Sequence, residues 1–278
     1  MRVDVLGVRG STPAPGLEFA RIGGHTSCVA LAHDGRPPSL VLDAGTGLQR
    51  LGPLLGDAPF RGTILLGHLH WDHTHGLPFS RPVDRPDSQV RLLMPGQGDP
   101  VGVLERVMSP PHFPIGPTGL RGDWRFEGLE PGVHRIEDFT VLALEIPHKG
   151  GRTFGFRVDD GVSAVAYLSD HCPVSLGPGP DGLGPYHESA LALADGVDLL
   201  FHDAQYTAEE LPGRATFGHS AAGYAAGLGA AAGAARVVLY HHDPGRTDDQ
   251  VDVLTAAVAA AAGVPVEAAV ERTCHRLG

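Results

Sequence analysis

Long apolar runs, paired cysteines and an excess of positive charge are all missing from this chain of 278 residues. No stretch approaches the roughly 20 consecutive apolar residues of a membrane-spanning helix, so no membrane span is expected. The three cysteines, Cys28, Cys172 and Cys274, stand far apart without a C-x-x-C pair, which argues against both a disulfide framework and a cysteine zinc knuckle. The opening Met1-Arg2-Val3-Asp4-Val5-Leu6 has an acid at position four and strand-like alternation, unlike a secretory signal. The cytoplasm is therefore the expected compartment. A formal net charge of −11 argues against a broad nucleic-acid surface, which rests on Lys and Arg neutralising phosphates. Extended nucleic acid is not expected as a partner. A small phosphate ester remains compatible, because bound divalent cations would reverse the local field.

The chain is instead rich in histidine, with 16 residues. The densest group is His68-Leu69-His70-Trp71-Asp72-His73, directly after the apolar run Thr63-Ile64-Leu65-Leu66. That run reads as a short buried strand, which places three imidazoles and a carboxylate in a loop beyond a strand end. In a loop, His68 and His70 turn to one side while Asp72 and His73 reach to another, a spacing that suits two adjacent metal ions better than one. Imidazole nitrogen and carboxylate oxygen are ligands that divalent zinc accepts, and manganese or iron tolerates them.

Strand-like runs are expected at 3–8, 27–33, 40–43, 89–94, 140–146, 153–158, 162–168, 197–201, 236–240 and 264–269. Helices are expected from about 46 to 55, at 74–79 and 186–194, in an Ala-rich stretch to about 235 with Ser220 as N-cap, and over 248–262. Strands alternating with helices and no charge-rich linker indicate one α/β domain over 1–278. Asp43-Ala44-Gly45-Thr46-Gly47 lacks the Lys of a phosphate-binding loop, so it reads as a tight strand-to-helix turn with Asp43 as partner of a ligand His. Residues 95–132 are rich in Pro and Gly and carry Phe113, Trp124 and Phe126. They read as an irregular lid or substrate loop.

The His68-to-His73 motif resembles that of the metallo-β-lactamase-fold hydrolases, whose pattern continues with a His, an Asp and a His, each after a strand. His148, Asp170 and His241 stand at such places. The resemblance implies a four-layered αβ/βα sandwich with two divalent ions, zinc first. His68, His70 and His148 would hold one ion, Asp72, His73 and His241 the other, and Asp170 would bridge them together with a hydroxide. The element Gly218-His219-Ser220, with Asp203 upstream in Phe201-His202-Asp203-Ala204-Gln205-Tyr206, is similar to the phosphodiesterase branch that includes ribonuclease Z and cyclic-phosphate phosphodiesterases. It implies that His219 assists the scissile phosphate and leaving group, by donating a proton to the leaving alkoxide or by hydrogen-bonding a phosphoryl oxygen, with Asp203 as the residue that orients it and Asp72 acting in catalysis as well as in ligation. His171, His202 and His242 read as neighbours of the site.

No long basic arm and no Cys-rich extra zinc site of the kind some relatives carry is present. The expected activity is therefore metal-dependent hydrolysis of a small phosphodiester, a cyclic nucleotide or cyclic phosphate, by a metal-bridging hydroxide. A lactone, ester or lactam hydrolase on the same metals, and a metal-bound sensor without turnover, are the alternatives. The oligomeric state is open, with a homodimer as one option.

Overall fold

The computed structural model describes residues 1–278. Its first half runs β1 (Arg2–Gly7), β2 (Cys28–Ala32), β3 (Leu40–Leu42), α1 (Gly52–Leu55), β4 (Arg61–Leu65), α2 (Trp71–Thr74), β5 (Gln89–Pro95), α3 (Pro100–Glu105) and β6 (Asp123–Leu129). The second runs β7 (Gly132–Ile136), β8 (Phe139–Glu145), β9 (Phe154–Asp159), β10 (Ala164–Leu168), α4 (Glu188–Ala194), β11 (Leu199–Asp203), α5 (Leu211–Arg214), α6 (Ala222–Ala231), β12 (Val237–Tyr240), α7 (Asp248–Ala261) and β13 (Val266–Ala268). The last strand, β14 (Cys274–Arg276), returns to pair with β1.

Two seven-stranded sheets result, in the orders β14-β1-β2-β3-β4-β5-β6 and β13-β12-β11-β10-β9-β8-β7. In the first, β14 to β3 pair antiparallel and β3 to β6 parallel. The second repeats this plan, with β7 to β10 antiparallel and β10 to β13 parallel.

Side-chain alternation explains how the sheets pack. Val3, Val5, Leu31 and Leu42 of the first sheet meet Phe139, Val141, Phe156 and Tyr167 of the second in one buried cluster. The opposite faces bury Val41, Ile64 and Leu92 under Leu48, Leu51 and Leu104 on one side, and Ala166, Leu200 and Leu239 under α4 and α6 on the other. The order is helix, sheet, sheet, helix, the four-layered αβ/βα sandwich implied by the resemblance. No helix is long and apolar enough to cross a membrane.

Several local expectations change. In place of the helix expected at 74–79 there are two short turns, α2 at Trp71–Thr74 and a 3-10 turn at Leu77–Phe79, so Asp72 and His73 lie on a helical turn and not in a loop. Ser220 does not cap the Ala-rich helix: Ala221 is the N-cap residue, without a side-chain cap, and Ser220 Oγ is buried without a partner. Residues 95–132 are less irregular than expected, because α3 and the seven-residue β6 lie within them. There the Gly and Pro content masked the alternation of Trp124 and Phe126, which pack on the outer face of the sheet. The strands β7 and β14 also escaped, being short and only partly buried.

Candidate metal centre

Beyond β4 the chain passes through Gly67 to His68 and His70, at the carboxyl edge of a parallel strand set, where α/β sheets collect ligands. His70 takes an extended conformation as N-cap of α2, and Asp72 and His73 occupy its first turn, both buried. Asp43, just after β3, lies in the left-handed region at φ 59°. Its Oδ1 accepts from Gly67 N at 2.7 Å, and its Oδ2 accepts from His73 Nδ1 at 2.7 Å and from Tyr167 at 2.8 Å. Asp43 is thus the carboxylate behind a histidine that its position suggested.

The second sheet supplies its side chains one strand end at a time. His148 follows β8, Asp170 follows β10 and His241 follows β12. His148 Nδ1 donates to Gly218 O at 2.6 Å, and His241 Nδ1 donates to Gln205 Oε1 at 2.9 Å. Gly10 packs flat on the His241 ring, so a Cβ there would collide with the imidazole and with Gln205. Asp72 Oδ2 also accepts from Ser11 N at 2.7 Å.

These anchors turn Nε2 of His73, His148 and His241 inward, and Asp170 stands between two groups. Its Oδ1 lies 3.8 Å from His68 Nε2 and 3.7 Å from His148 Nε2. Its Oδ2 lies 3.0 Å from His73 Nε2 and 3.4 Å from His241 Nε2. Asp72 Oδ2 is 3.2 Å and 3.1 Å from the same two nitrogens, and His70 Nδ1 is 3.4 Å from His148 Nε2. The ligand atoms of His68, His70 and His148, and separately those of Asp72, His73, Asp170 and His241, fall within 4.8 Å of one another.

This donor set fits divalent metal. With Nδ1 of His73 and of His241 already donating, Nε2 is the nitrogen of each ring that faces the carboxylates, where a neutral imidazole would offer its lone pair to a metal. Both nitrogens of His68, Nε2 of His73 and both oxygens of Asp170 are buried without a hydrogen-bond partner. Buried polar atoms in such numbers are rare in native proteins and converge here on one place. Cations on the two sides of Asp170 would take up His73 Nε2, one nitrogen of His68 and the Asp170 oxygens.

Burial holds His68 well below the ordinary histidine range and lowers His70 and His148, which keeps their lone pairs free for a metal. For Asp72 and Asp170 burial pushes upward, but the surrounding imidazoles outweigh it and keep both carboxylates ionised. His73 is opposed by burial yet raised by Asp72, Asp170 and Asp43.

His219 sits over this group, its ring 4.9 Å from that of His241 and 5.4 Å from that of His148. Its Nδ1 is 3.6 Å from Asp170 but donates to Asp203 Oδ2 at 2.9 Å, so that nitrogen is committed and Nε2 remains without a protein partner. Asp203 is fully buried and further held by the amides of His171 and Gln205. Burial works against charge on His219, but Asp203, with Asp170 and Asp72, raises its pKa to about 9.

His171 bonds His202 at 2.9 Å, His202 bonds Asp203 O, and His242 bonds Ala269 O at 3.0 Å, so these three serve the surrounding framework. Gln205 and Tyr167 were not foreseen in the site. Gln205 was visible only as a neighbour of Asp203, and Tyr167 only as one apolar position of a strand.

The layered sheets and the convergent His and Asp side chains define a metal-dependent hydrolase of the metallo-β-lactamase type. The chain belongs to the family described as beta-lactamase superfamily domain, whose model matches residues 39–242. Ribonuclease Z of Salinibacter ruber is 26% identical over 87% of this chain and 85% of its own. Among solved structures, the metallo-beta-lactamase fold protein YhfI of Bacillus subtilis superposes with a TM-score of 0.72 at 18% identity, covering 99% of this chain and 98% of that one. A diphosphatase from the PhnP family gives 0.71 at 15% identity, over 100% and 98%. These two structures carry the fold alone. The ribonuclease Z relatives give no support to the expectation that extended nucleic acid is not a partner.

Proposed function

We propose that the protein is a phosphodiesterase that hydrolyses a small phosphodiester, a cyclic nucleotide or cyclic phosphate, at a pair of divalent ions. His68, His70 and His148 would hold one ion, Asp72, His73 and His241 the other, and Asp170 would touch both. Zinc suits this nitrogen-rich set best, and manganese or iron is compatible. When bound, such a pair makes a water nucleophilic near neutral pH and neutralises phosphoryl oxygens.

The observation that carries the reading is the buried pair Asp203 and His219, a histidine that faces the centre while its Nδ1 is committed to a carboxylate. Asp203 stabilises the imidazolium and fixes the ring. His219 Nε2 is left to deliver a proton to a departing alkoxide or to bond a phosphoryl oxygen.

The whole of 1–278 serves as one catalytic unit, with the irregular part of 95–132 as a substrate loop. Phe113 of that loop packs edge-on against Phe79 at 5.8 Å, beside α2. The test is a screen of metal-loaded protein against cyclic nucleotides, cyclic phosphates, linear diesters, a precursor RNA and lactones. The expected result is the highest kcat/KM on a small diester. Turnover of lactones alone, or of RNA well above small diesters, would overturn the reading.

A further inference from the structure

Trp71 stands between His70 and Asp72 in sequence, yet its side chain is 62% exposed. Much of this large aromatic therefore lies open to solvent beside the candidate metal centre. Its indole lies on the imidazole of His75, one helical turn on, with centroids 5.7 Å apart and planes within 16°. The pair presents a flat, preformed surface. Beside it is a cavity of about 170 Å³. Trp71, Thr74, Phe79 and Met108 line it together with His112 and Phe113 of the irregular segment, and no carboxylate lines it at all. That is unusual for a chain with a net charge of −11. Thr74 ties the wall to the metal loop, its hydroxyl donating to His70 O at 3.1 Å.

We propose that this cavity is the subsite for the nucleobase of a nucleotidyl phosphodiester, with Trp71 as the stacking surface. The inference rests on the phosphodiesterase reading and adds the substrate class to it. Three features select a base over an aliphatic group. The stacked Trp71 and His75 offer a planar face, and Phe79 and Phe113, in edge-to-face contact, add aromatic wall to the same cavity, so a flat ring fits better than a branched chain. His75 and His112 are exposed imidazoles that can donate to or accept from the heteroatoms of a base edge. The position is also right, since Trp71 is rooted one residue, about 3.8 Å along the Cα trace, from residues on both sides of the metal centre. A base lies about one ribose away from its phosphorus, so its subsite has to be rooted close to the centre, as Trp71 is.

The experiment compares two esters with the same leaving group, thymidine 5′-(4-nitrophenyl phosphate) and methyl 4-nitrophenyl phosphate, on the metal-loaded protein. The kcat/KM ratio of the first to the second is expected to fall about 10- to 100-fold in Trp71→Ala, the range of one base stacked on an aromatic ring. The loss should sit mainly in KM, and Trp71→Phe should recover most of it. A ratio unchanged by Trp71→Ala would overturn the subsite while leaving the phosphodiesterase reading intact. If the wild type turns over neither ester, a binding measurement decides the subsite by itself. Adenosine 5′-monophosphate should saturably quench indole emission, ribose 5-phosphate should not, and Trp71→Phe should abolish the quench. Equal quenching by both compounds, or none by either, overturns the proposal.

Discussion

The two halves of the molecule share a strand plan but furnish the centre in opposite ways. In the first sheet, four ligand-type side chains stand between His68 and His73, on one strand end and one helical turn. In the second, His148, Asp170 and His241 come from the ends of three different strands, with Asp203 and His219 behind them. The supports differ in the same sense. His73 leans on a carboxylate at the end of the adjacent strand β3, whereas His148 and His241 lean on a backbone carbonyl and a neutral amide. One half carries its chemistry in local sequence, and the other acquires it only when the sheet has formed. They are joined by Tyr167 of β10, whose hydroxyl reaches the Asp43 carboxylate of the first half. The local half is therefore not self-sufficient, since its second layer is completed from across the interface.

The most severe way to break this arrangement is Asp170→Ala, because Asp170 is the one side chain that faces both groups of nitrogens. Bound metal measured by elemental analysis should fall from two ions to one or none, and hydrolysis should be lost. Two retained ions with full activity would show that the scattered half does not hold the centre together. Next in size is His219→Ala, which should keep the metal yet reduce turnover of a diester with a poor leaving group by about 10²–10⁴. An activated nitrophenyl diester should lose less. Equal losses on both would point to charge stabilisation in place of proton donation.

The comparison between supports is sharpened by Asp43→Asn beside Gln205→Leu. Replacing the charged acceptor of His73 should weaken metal affinity by about 10- to 100-fold, as for other partners that orient ligand histidines. Loss of the neutral acceptor of His241 should cost less in the same competition titration. The smallest effect is expected well away from either half of the centre. Thr247 caps α7 in a reciprocal pair with Gln250, and Thr247→Ala should lower unfolding stability in urea by about 1 kcal/mol with metal content unchanged.

The same contrast accounts for what the sequence made legible. The buried strands and the metal motif were readable because periodicity and ligand spacing are local properties. The three later residues became readable only through their order in a resembling family, since nothing near His148 or Asp170 distinguishes them from surface groups. Placement of Asp72 and His73 on a helix was not readable, because a single helical turn beginning inside the motif leaves no apolar period. Gln205 and Tyr167 were hidden for another reason: their roles are fixed by a hydrogen bond to a residue far away in the chain. Ser220 misled because a good capping residue in sequence is buried one position too early.

Asp43 and His241 share a backbone peculiarity, left-handed φ values of 59° and 58° at the ends of β3 and β12. An L-residue in that region costs on the order of 1–3 kcal/mol. The two together would amount to a sizeable part of the roughly 5–15 kcal/mol by which a domain is stable. Gly would relax the main chain at either position, but removing the buried Asp43 carboxylate would leave Gly67 N, His73 Nδ1 and the Tyr167 hydroxyl without their acceptor, and removing His241 would orphan Gln205. The strain at 43 and 241 is thus tolerated because these side chains hold buried partners in place, and Gly at either position should lose the centre without gaining heat resistance.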